Sequence, residues 1–159
     1  LEVLRIGTLS KTLGAQGGWI AGSQPLIELL INRGRSFIFT TGLSPADAGA
    51  ALAALRICRS EEGTRLRVRL RQLIDLLLPG HPSPIVPLVL GEDAVAVAMA
   101  AQLRDAGFWV PAIRPPTVPA GTARLRIALS ASHTPEMVEQ LKAVLPSGSL
   151  QESLRHAAR

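Results

Sequence analysis

The sequence has little of several residue types, and each shortage argues against a class of protein. Cys58 is the only cysteine among 159 residues, so no disulfide can form within the chain and a reducing compartment is expected. Tyrosine is absent and aromatic residues make up 3%, which leaves few rings for stacking on single-stranded nucleic acid. No secretory signal is recognisable, and no apolar run reaches the roughly 20 residues of a membrane-spanning helix. We therefore expect a cytoplasmic protein with neither a nucleic-acid nor a membrane partner.

Positive charge is in excess, and it permits a competing hypothesis. The formal net charge is +5 and the pI is near 10.9, so a module that binds polyanions through its basic side chains is one alternative. Arginine greatly outnumbers lysine beside abundant alanine and leucine, a bias that genome composition can produce, so a solvated basic surface is favoured. The histidines His81, His133 and His156 have no metal-ligand spacing among themselves or with Cys58, and no metal site is expected.

Lysine is scarce, and one of the two lysines has unusual surroundings. Lys11 lies in residues 7–22, GTLSKTLGAQGGWIAG, whereas Lys142 lies in an ordinary helical pattern. A predicted strand, Val3–Thr8, leads into this segment, and its many small residues allow a bulky partner to approach closely. We interpret Lys11 as a buried amine used for chemistry. A desolvated amine loses its proton readily and can form an imine with an aldehyde, which arginine cannot do.

A second distinctive segment covers residues 110–127, VPAIRPPTVPAGTARLRI. Together the two segments resemble the α-oxoamine synthases, pyridoxal-phosphate enzymes that condense an amino acid with an acyl thioester and release carbon dioxide. The second segment is long and idiosyncratic, and it resembles the branch of that family that uses L-alanine and pimeloyl-CoA, or a pimeloyl carrier protein, in biotin biosynthesis. Branches of the glycine C-acyltransferase, 5-aminolevulinate synthase and serine palmitoyltransferase types are the alternatives within the family.

The resemblance implies a cofactor site for pyridoxal 5'-phosphate. Lys11 would bind the cofactor aldehyde and then serve as base and acid, and Thr8 matches a phosphate-contacting threonine three residues before the lysine. Thr40 and Thr41 match a place where hydroxyl groups reach the cofactor phosphate of the neighbouring subunit. We therefore expect a homodimer with its active site at the subunit interface.

The resemblance also implies substrate contacts in the second segment. Arg126 matches the arginine that takes the amino-acid carboxylate, because a planar guanidinium can bind both carboxylate oxygens. Arg124 shares its strand face and is interpreted as a solvent-facing edge residue. Thr117 matches a substrate-contacting threonine, and Arg114 is expected to meet the distal acid of a pimeloyl chain.

The chain departs from the family pattern in what precedes the lysine. The family's ring-stacking histidine, the aspartate that pairs with the pyridine nitrogen and the adjacent serine lie upstream of that point and are absent here. Without the aspartate, the cofactor ring is a poor electron sink. We therefore expect this chain to be the C-terminal portion of a longer enzyme and to be inactive by itself.

Periodicity and turn residues predict an alternation of strands and helices. Strands are predicted at Val3–Thr8, Gly18–Ala21, Phe37–Thr41, Ile85–Leu90, Phe108–Ile113 and Leu125–Leu129, and helices at residues 23–33, 44–59, 65–77, 93–106 and 134–145. Ser44 and Asp47 have the spacing of a capping box, with Asp instead of Glu or Gln at its third position. Residues 65–71 alternate with period two as a strand would, but Leu66, Leu70, Leu73 and Leu77 recur with helical spacing, and we favour a helix.

These elements predict an α/β chain up to Leu43, then a helix pair, then an α+β module from Ile85 onward. The resemblance implies a fold-type I pyridoxal-phosphate-dependent transferase. Residues 1–57 would complete its large cofactor-binding domain, residues 58–146 would form the small C-terminal domain, and residues 147–159 would be a tail. We expect the domain seam near Ile57.

Overall fold

The computed structural model describes residues 2–146, so the predicted tail lies outside the described residues. The elements follow in the order β1 (Arg5–Thr8), β2 (Gly18–Ala21), α1 (Gln24–Arg33), α2 (Arg35–Ile38), α3 (Pro45–Cys58), α4 (Glu61–Leu77), β3 (Ile85–Gly91), α5 (Asp93–Asp105), β4 (Ala112–Ile113), β5 (Ala123–Ala128) and α6 (Pro135–Val144). None of the helices described is long and apolar enough to cross a bilayer. The predicted alternation is confirmed for most elements, including the helix over the arginine-rich stretch, which lies within α4.

Two compact units make up the chain, the first ending at Thr64 and the second beginning at Arg65. The expected seam near Ile57 concerns the domains of a complete enzyme and stays a prediction. In the first unit, β1 and β2 form an antiparallel hairpin in which Gly7 pairs with Trp19. A Cβ atom on Gly7 would lie 2.4 Å from Cε2 of Trp19, so the indole packs on this position only because the side chain is hydrogen.

The predicted strand Phe37–Thr41 is wrong. Residues Arg35–Ile38 form the short helix α2, and the amides of Phe37 and Ile38 both donate to the carbonyl oxygen of Gly34 at 2.9 Å. Aromatic and β-branched side chains favour a strand when they can pack on a paired, half-buried sheet. The only strand pairing described in the first unit is that of β1 with β2, and local helical bonds satisfy the backbone of this segment instead.

In the second unit, three antiparallel strands have the order β3-β5-β4. The edge strand β3 accommodates Pro87, which has no N–H group to donate, and the register shifts between Val89 and Gly91. Side chains alternate along β5, so that Ala123, Leu125 and Ile127 are buried. The core of this unit consists of apolar side chains from its helices and strands: Leu73, Leu77, Leu78, Val86, Leu88, Leu103, Val110, Leu125, Ile127, Val138, Leu141 and Leu145.

The strand β4 is shorter than predicted. Phe108–Ile113 was expected to be extended throughout, whereas only Ala112 and Ile113 pair with β5. Pro111 has no N–H group to donate, which limits the ladder at that point. Its carbonyl oxygen still accepts a hydrogen bond from the backbone N–H of Arg126 at 3.0 Å.

A polar cluster fixes the turn between α4 and β3. Arg71 donates to both carboxylate oxygens of Asp75, at 2.7 and 2.9 Å, and also to the carbonyl oxygen of His81. The N–H of Gly80 donates to Asp75 at 3.0 Å, and Nε2 of the buried His81 lies 3.0 Å from the carbonyl oxygen of Ile85. The sequence predicts only that the prolines and glycine of residues 79–84 end the helix.

We expect the core of the second unit to depend strongly on Leu88, which is fully buried. Leu88→Ala should lower the free energy of unfolding by about 2–5 kcal/mol, because it removes apolar contact and leaves a cavity. Ile85 lies on the same strand and is 49% exposed, so Ile85→Ala is the matched control and should cost less than about 1 kcal/mol. Urea unfolding of both variants measures the difference, and equal losses would contradict this description of the core.

The turn cluster should make stability depend on acid pH. The hydrogen bonds from Arg71, and then that from Gly80, lower the pKa of Asp75 below its ordinary value of 3.8. Because the pKa is lower in the folded state, this contribution to stability is complete above the unfolded pKa and is lost as pH falls through the folded pKa. Asp75→Asn should therefore be less stable than wild type at neutral pH, and the difference should shrink below about pH 4. Unfolding free energies measured across this range would disprove the assignment if the difference were independent of pH.

Candidate active site

The loop that carries Lys11 joins β1 to β2 and closes on itself through backbone hydrogen bonds. The N–H of Leu9 donates to the carbonyl oxygen of Gly17 at 2.9 Å, that of Ala15 to Leu9 at 3.0 Å, and that of Gly14 to Lys11 at 3.0 Å. Gly14 and Gly17 have φ angles of +59° and +122°, a region that residues with a Cβ rarely adopt. The glycines that mark this segment in the sequence therefore permit a tight, internally bonded turn.

Lys11 is exposed, so the prediction of a buried amine is wrong. Ala15 is the only residue of the loop that is buried, because the apolar contacts of this turn are made at its base and the tip has few neighbours. An exposed amine is accessible to an aldehyde ligand without rearrangement of the loop. The scarcity of lysine signals a special position, but it does not reveal how deeply the side chain is buried.

Two hydroxyl groups, those of Thr8 and Ser10, lie within three residues of the lysine in sequence. Oγ1 of Thr8 is 2.8 Å from Oγ of Ser10, accepts a hydrogen bond from the backbone N–H of Ser10 at 3.1 Å, and lies 3.3 Å from the carbonyl oxygen of Gly17. Both side chains are exposed, so their hydroxyls can turn toward an anionic ligand. Ser10 is a candidate that the sequence reasoning missed. Its position directly before the lysine was the available signal.

Thr40 and Thr41 lie after α2 in an irregular segment, and both are exposed. No hydrogen bond within residues 2–146 joins either side chain to the lysine loop. Their position at the end of a strand, which the sequence predicts, is wrong, since no strand forms there. The role implied for them involves a second subunit and stays a prediction.

Arg124 and Arg126 share a face of β5 but have different surroundings. Nε of the half-buried Arg124 donates to the carbonyl oxygen of Thr122 at 2.9 Å. Arg126 is exposed, and its guanidinium has no hydrogen-bond partner in the part of the chain that the structure describes. An uncommitted, planar set of donors at Arg126 is therefore available for a carboxylate.

Arg114 and Thr117 open and close one turn of the proline-rich loop, in which the N–H of Thr117 donates to the carbonyl oxygen of Arg114 at 3.0 Å. Both side chains are exposed. Arg114 lines a shallow cleft of about 310 Å³ together with Arg104 and Trp109, whose indole lies 4.6 Å from the Arg104 guanidinium carbon. The cleft thus combines two cations with an apolar wall, a composition suited to an apolar ligand that ends in an acid.

The lysine loop fits two ends of pyridoxal phosphate. An accessible amine can react with its aldehyde, and the hydroxyl pair of Thr8 and Ser10 can donate to its phosphate. The hydrogen bonds described for the loop include one carboxylate, that of Asp47, which binds the N–H of Gln16 at 2.9 Å. A carboxylate for the pyridine nitrogen is not among these loop contacts. Within residues 2–146, no cluster of His, Cys, Asp and Glu is suited to hold a metal ion.

Comparison with known proteins gives the family. The family model described as aminotransferase class I and II matches residues 1–145. The 8-amino-7-oxononanoate synthase of Methylobacterium radiotolerans is 50% identical over 141 aligned residues, which cover 87% of this chain and 38% of that protein. The corresponding protein of Saccharophagus degradans is 47% identical and is covered over 36% of its length. This chain therefore spans little more than a third of these curated relatives.

Solved structures show the same fold. A serine palmitoyltransferase from S. paucimobilis, solved with bound pyridoxal phosphate and myriocin, has a TM-score of 0.79 at 28% identity, over 98% of this chain and 40% of that one. The 8-amino-7-oxononanoate synthase of Francisella tularensis has a TM-score of 0.75 at 23% identity, over 99% and 47%, and this likeness shows the fold alone. The resemblance seen in the sequence and the α/β fold class are both confirmed. The chain belongs to the class I and II aminotransferase family and has part of the fold of fold-type I pyridoxal-phosphate-dependent enzymes.

Proposed function

We propose that this chain is part of an enzyme that condenses L-alanine with a pimeloyl thioester, releasing carbon dioxide and the thiol, to give 8-amino-7-oxononanoate for biotin synthesis. The observation that carries the proposal is the accessible amine of Lys11 beside two hydroxyl groups. This arrangement occurs in a chain that is 50% identical to the 8-amino-7-oxononanoate synthase of Methylobacterium radiotolerans. The chain covers 38% of that relative, so the proposal concerns the whole protein to which the chain contributes.

Lys11 supplies the proton transfers. Pyridoxal phosphate, when bound, supplies an aldehyde for the lysine amine and a ring that takes up the electron pair left on the substrate carbon. The amine of Lys11 takes the proton from the α-carbon of alanine and later returns one. Between these steps, the α-carbon forms a bond to the thioester carbonyl carbon, the thiol leaves, and the carboxylate leaves as carbon dioxide.

Hydroxyl groups hold the phosphate. The Thr8 and Ser10 oxygens lie 2.8 Å apart, and each hydroxyl has one proton, which would turn from its present acceptor to the phosphate. We infer that Thr40 and Thr41 of a second copy complete the phosphate site, and that the enzyme is a homodimer. Their exposure in the absence of any described hydrogen bond to the lysine loop is compatible with a partner outside this chain.

Arginines orient the substrates. The fork of Arg126 binds the alanine carboxylate until it leaves, a role that its free donors support. Arg114 binds the distal carboxylate of the pimeloyl chain, whose methylene groups would contact the apolar wall of the adjacent cleft, and Thr117 contacts substrate from the same loop. Carbon dioxide release with alanine, glycine and serine in turn separates this assignment from the other α-oxoamine synthases.

Lys11 should be the residue that binds the cofactor. The complete enzyme mixed with pyridoxal phosphate should develop a visible absorption band, and Lys11→Ala should lack this band because the amine is gone. Lys142→Ala removes the other lysine of the chain and is the matched control, which should leave the band unchanged. A band that persists in Lys11→Ala would contradict the assignment.

The two arginines of β5 should differ in their effect on catalysis. Arg126→Ala in the complete enzyme should lower kcat/KM for alanine by at least about tenfold, because hydrogen bonds to charged groups contribute about 1.5–3 kcal/mol. Arg124→Ala should change it by less than about threefold, since that guanidinium binds the backbone of Thr122. Steady-state kinetics over alanine concentration measures both, and a larger loss in Arg124→Ala would reverse the assignment.

A further inference from the structure

The lysine loop has an anchor outside the hairpin. The backbone N–H of Gln16 donates to Oδ1 of Asp47 at 2.9 Å, and the two residues are 31 positions apart in sequence. Asp47 is half-buried and lies in the first turn of α3. The bond therefore connects the end of the loop to α3, and the helices α1 and α2 lie between them in the sequence.

The capping pattern at α3 explains why this carboxylate is free to reach the loop. Ser44 caps the helix as predicted, and its Oγ accepts a hydrogen bond from the N–H of Ala46 at 3.2 Å. In a complete capping box the third residue after the cap reaches back to the cap N–H, which Glu and Gln do because their side chains are long. Asp47 is one carbon shorter, and its carboxylate binds Gln16 instead. The predicted capping box is therefore not formed: the Ser44 side chain caps the helix through the N–H of Ala46, and the Asp47 carboxylate binds the loop.

An apolar contact accompanies this hydrogen bond. A Cβ atom on Gly17 would lie 2.7 Å from Cδ1 of Leu43 and 3.2 Å from Cδ1 of Leu9. Leu43 thus packs directly on the backbone at the end of the loop, one residue before the cap of α3. The same short segment, Leu43–Asp47, holds the loop by one apolar and one polar contact.

Three consecutive backbone amides of the loop donate hydrogen bonds to different kinds of acceptor. Those of Gly14 and Ala15 donate to carbonyl oxygens inside the loop, and that of Gln16 donates to Asp47 outside it. The first two bonds set the shape of the turn that presents Lys11. The third fixes that turn relative to α3, because it is made by a side chain of the helix.

We propose that Asp47 is a positioning residue that holds the Lys11 loop in the conformation needed to bind an aldehyde phosphate. The identity of the ligand rests on the proposed function. The hydrogen bond that tethers Gln16 to Asp47 rests on the geometry alone. Loss of the Asp47 carboxylate leaves the N–H of Gln16 to water, since Gln16 is exposed. The loop then gains freedom, and the Lys11 amine and the Thr8 hydroxyl are less often placed for the same ligand.

The test uses the complete enzyme to which this chain contributes, with three variants. Asp47→Ala removes the acceptor, Asp47→Asn keeps an acceptor oxygen, and Asp93→Ala removes an exposed acid from the first turn of α5 as a matched control. Amide hydrogen exchange at Gln16 measures the tether. Pyridoxal phosphate with borohydride, followed by peptide mapping, measures how fast Lys11 is labelled relative to Lys142.

Asp47→Ala should raise the exchange rate at Gln16 about three- to tenfold, the equivalent of one net hydrogen bond, and lower the Lys11:Lys142 labelling ratio by a similar factor. In Asp47→Asn, the exchange rate and the labelling ratio should both be close to their wild-type values. Asp93→Ala should change neither quantity. Because Gln16 is exposed, the unfolding midpoint of Asp47→Ala should stay close to that of Asp93→Ala, which separates loop order from global stability.

Several results would overturn the inference. If amide hydrogen exchange at Gln16 is unchanged in Asp47→Ala, the hydrogen bond to Asp47 does not hold the loop. If exchange changes but the labelling ratio does not, Asp47 holds the loop without positioning Lys11. Preferential labelling of Lys11 that all variants retain would leave the cofactor assignment standing and refute only the role of Asp47. Failure of the complete wild-type enzyme to label Lys11 faster than Lys142 would instead refute the proposed function itself.

Discussion

The lysine loop depends on a close approach of backbone to backbone at its base. The N–H of Leu9 donates to the carbonyl oxygen of Gly17, which has a positive φ, and a Cβ atom at Gly17 would collide with the Leu43 side chain. A larger residue at Gly17 would displace Leu43 and open the turn. The placement of Lys11, the pairing of Thr8 with Ser10 and the bond to Asp47 all follow from this closure.

The two units differ in how they bury apolar side chains. The second unit has a contiguous core of large residues around Leu88 and Leu125. In the first unit, large apolar side chains such as Ile6, Ile20 and Phe37 are exposed by 71, 47 and 68%. Exposure on this scale is unusual for an independent domain, and it accords with a chain that spans 38% of the length of its relatives.

The two arginines of β5 lie on the same face of the strand but differ in their hydrogen bonds. Alternation along β5 buries Leu125 and Ile127 and places Arg124 and Arg126 on the opposite face. Their spacing in the sequence places both side chains on the same face of the strand, but the preceding turn gives them different hydrogen-bond partners. Nε of Arg124 donates to the carbonyl oxygen of Thr122, whereas no hydrogen bond of the Arg126 guanidinium is described within residues 2–146.

The sequence alone determined the elements whose signals are local or periodic. The two strands that flank the Lys11 loop and the helix over the arginine-rich stretch follow from apolar runs, glycine and helical spacing, which act within a few residues. The family and its candidate residues also came from the sequence, because two segments carry a distinctive pattern.

Tertiary structure decided what depends on distant neighbours. It made Phe37 helical, left Lys11 exposed, and sent the Asp47 carboxylate to Gln16 instead of to its own helix cap. A strand needs a pairing partner, burial needs covering atoms, and a carboxylate binds the donor that lies nearest in space. The amide that binds Asp47 is 31 residues away in sequence, and strand pairing and burial also depend on distant segments, so composition and spacing could not reveal these outcomes.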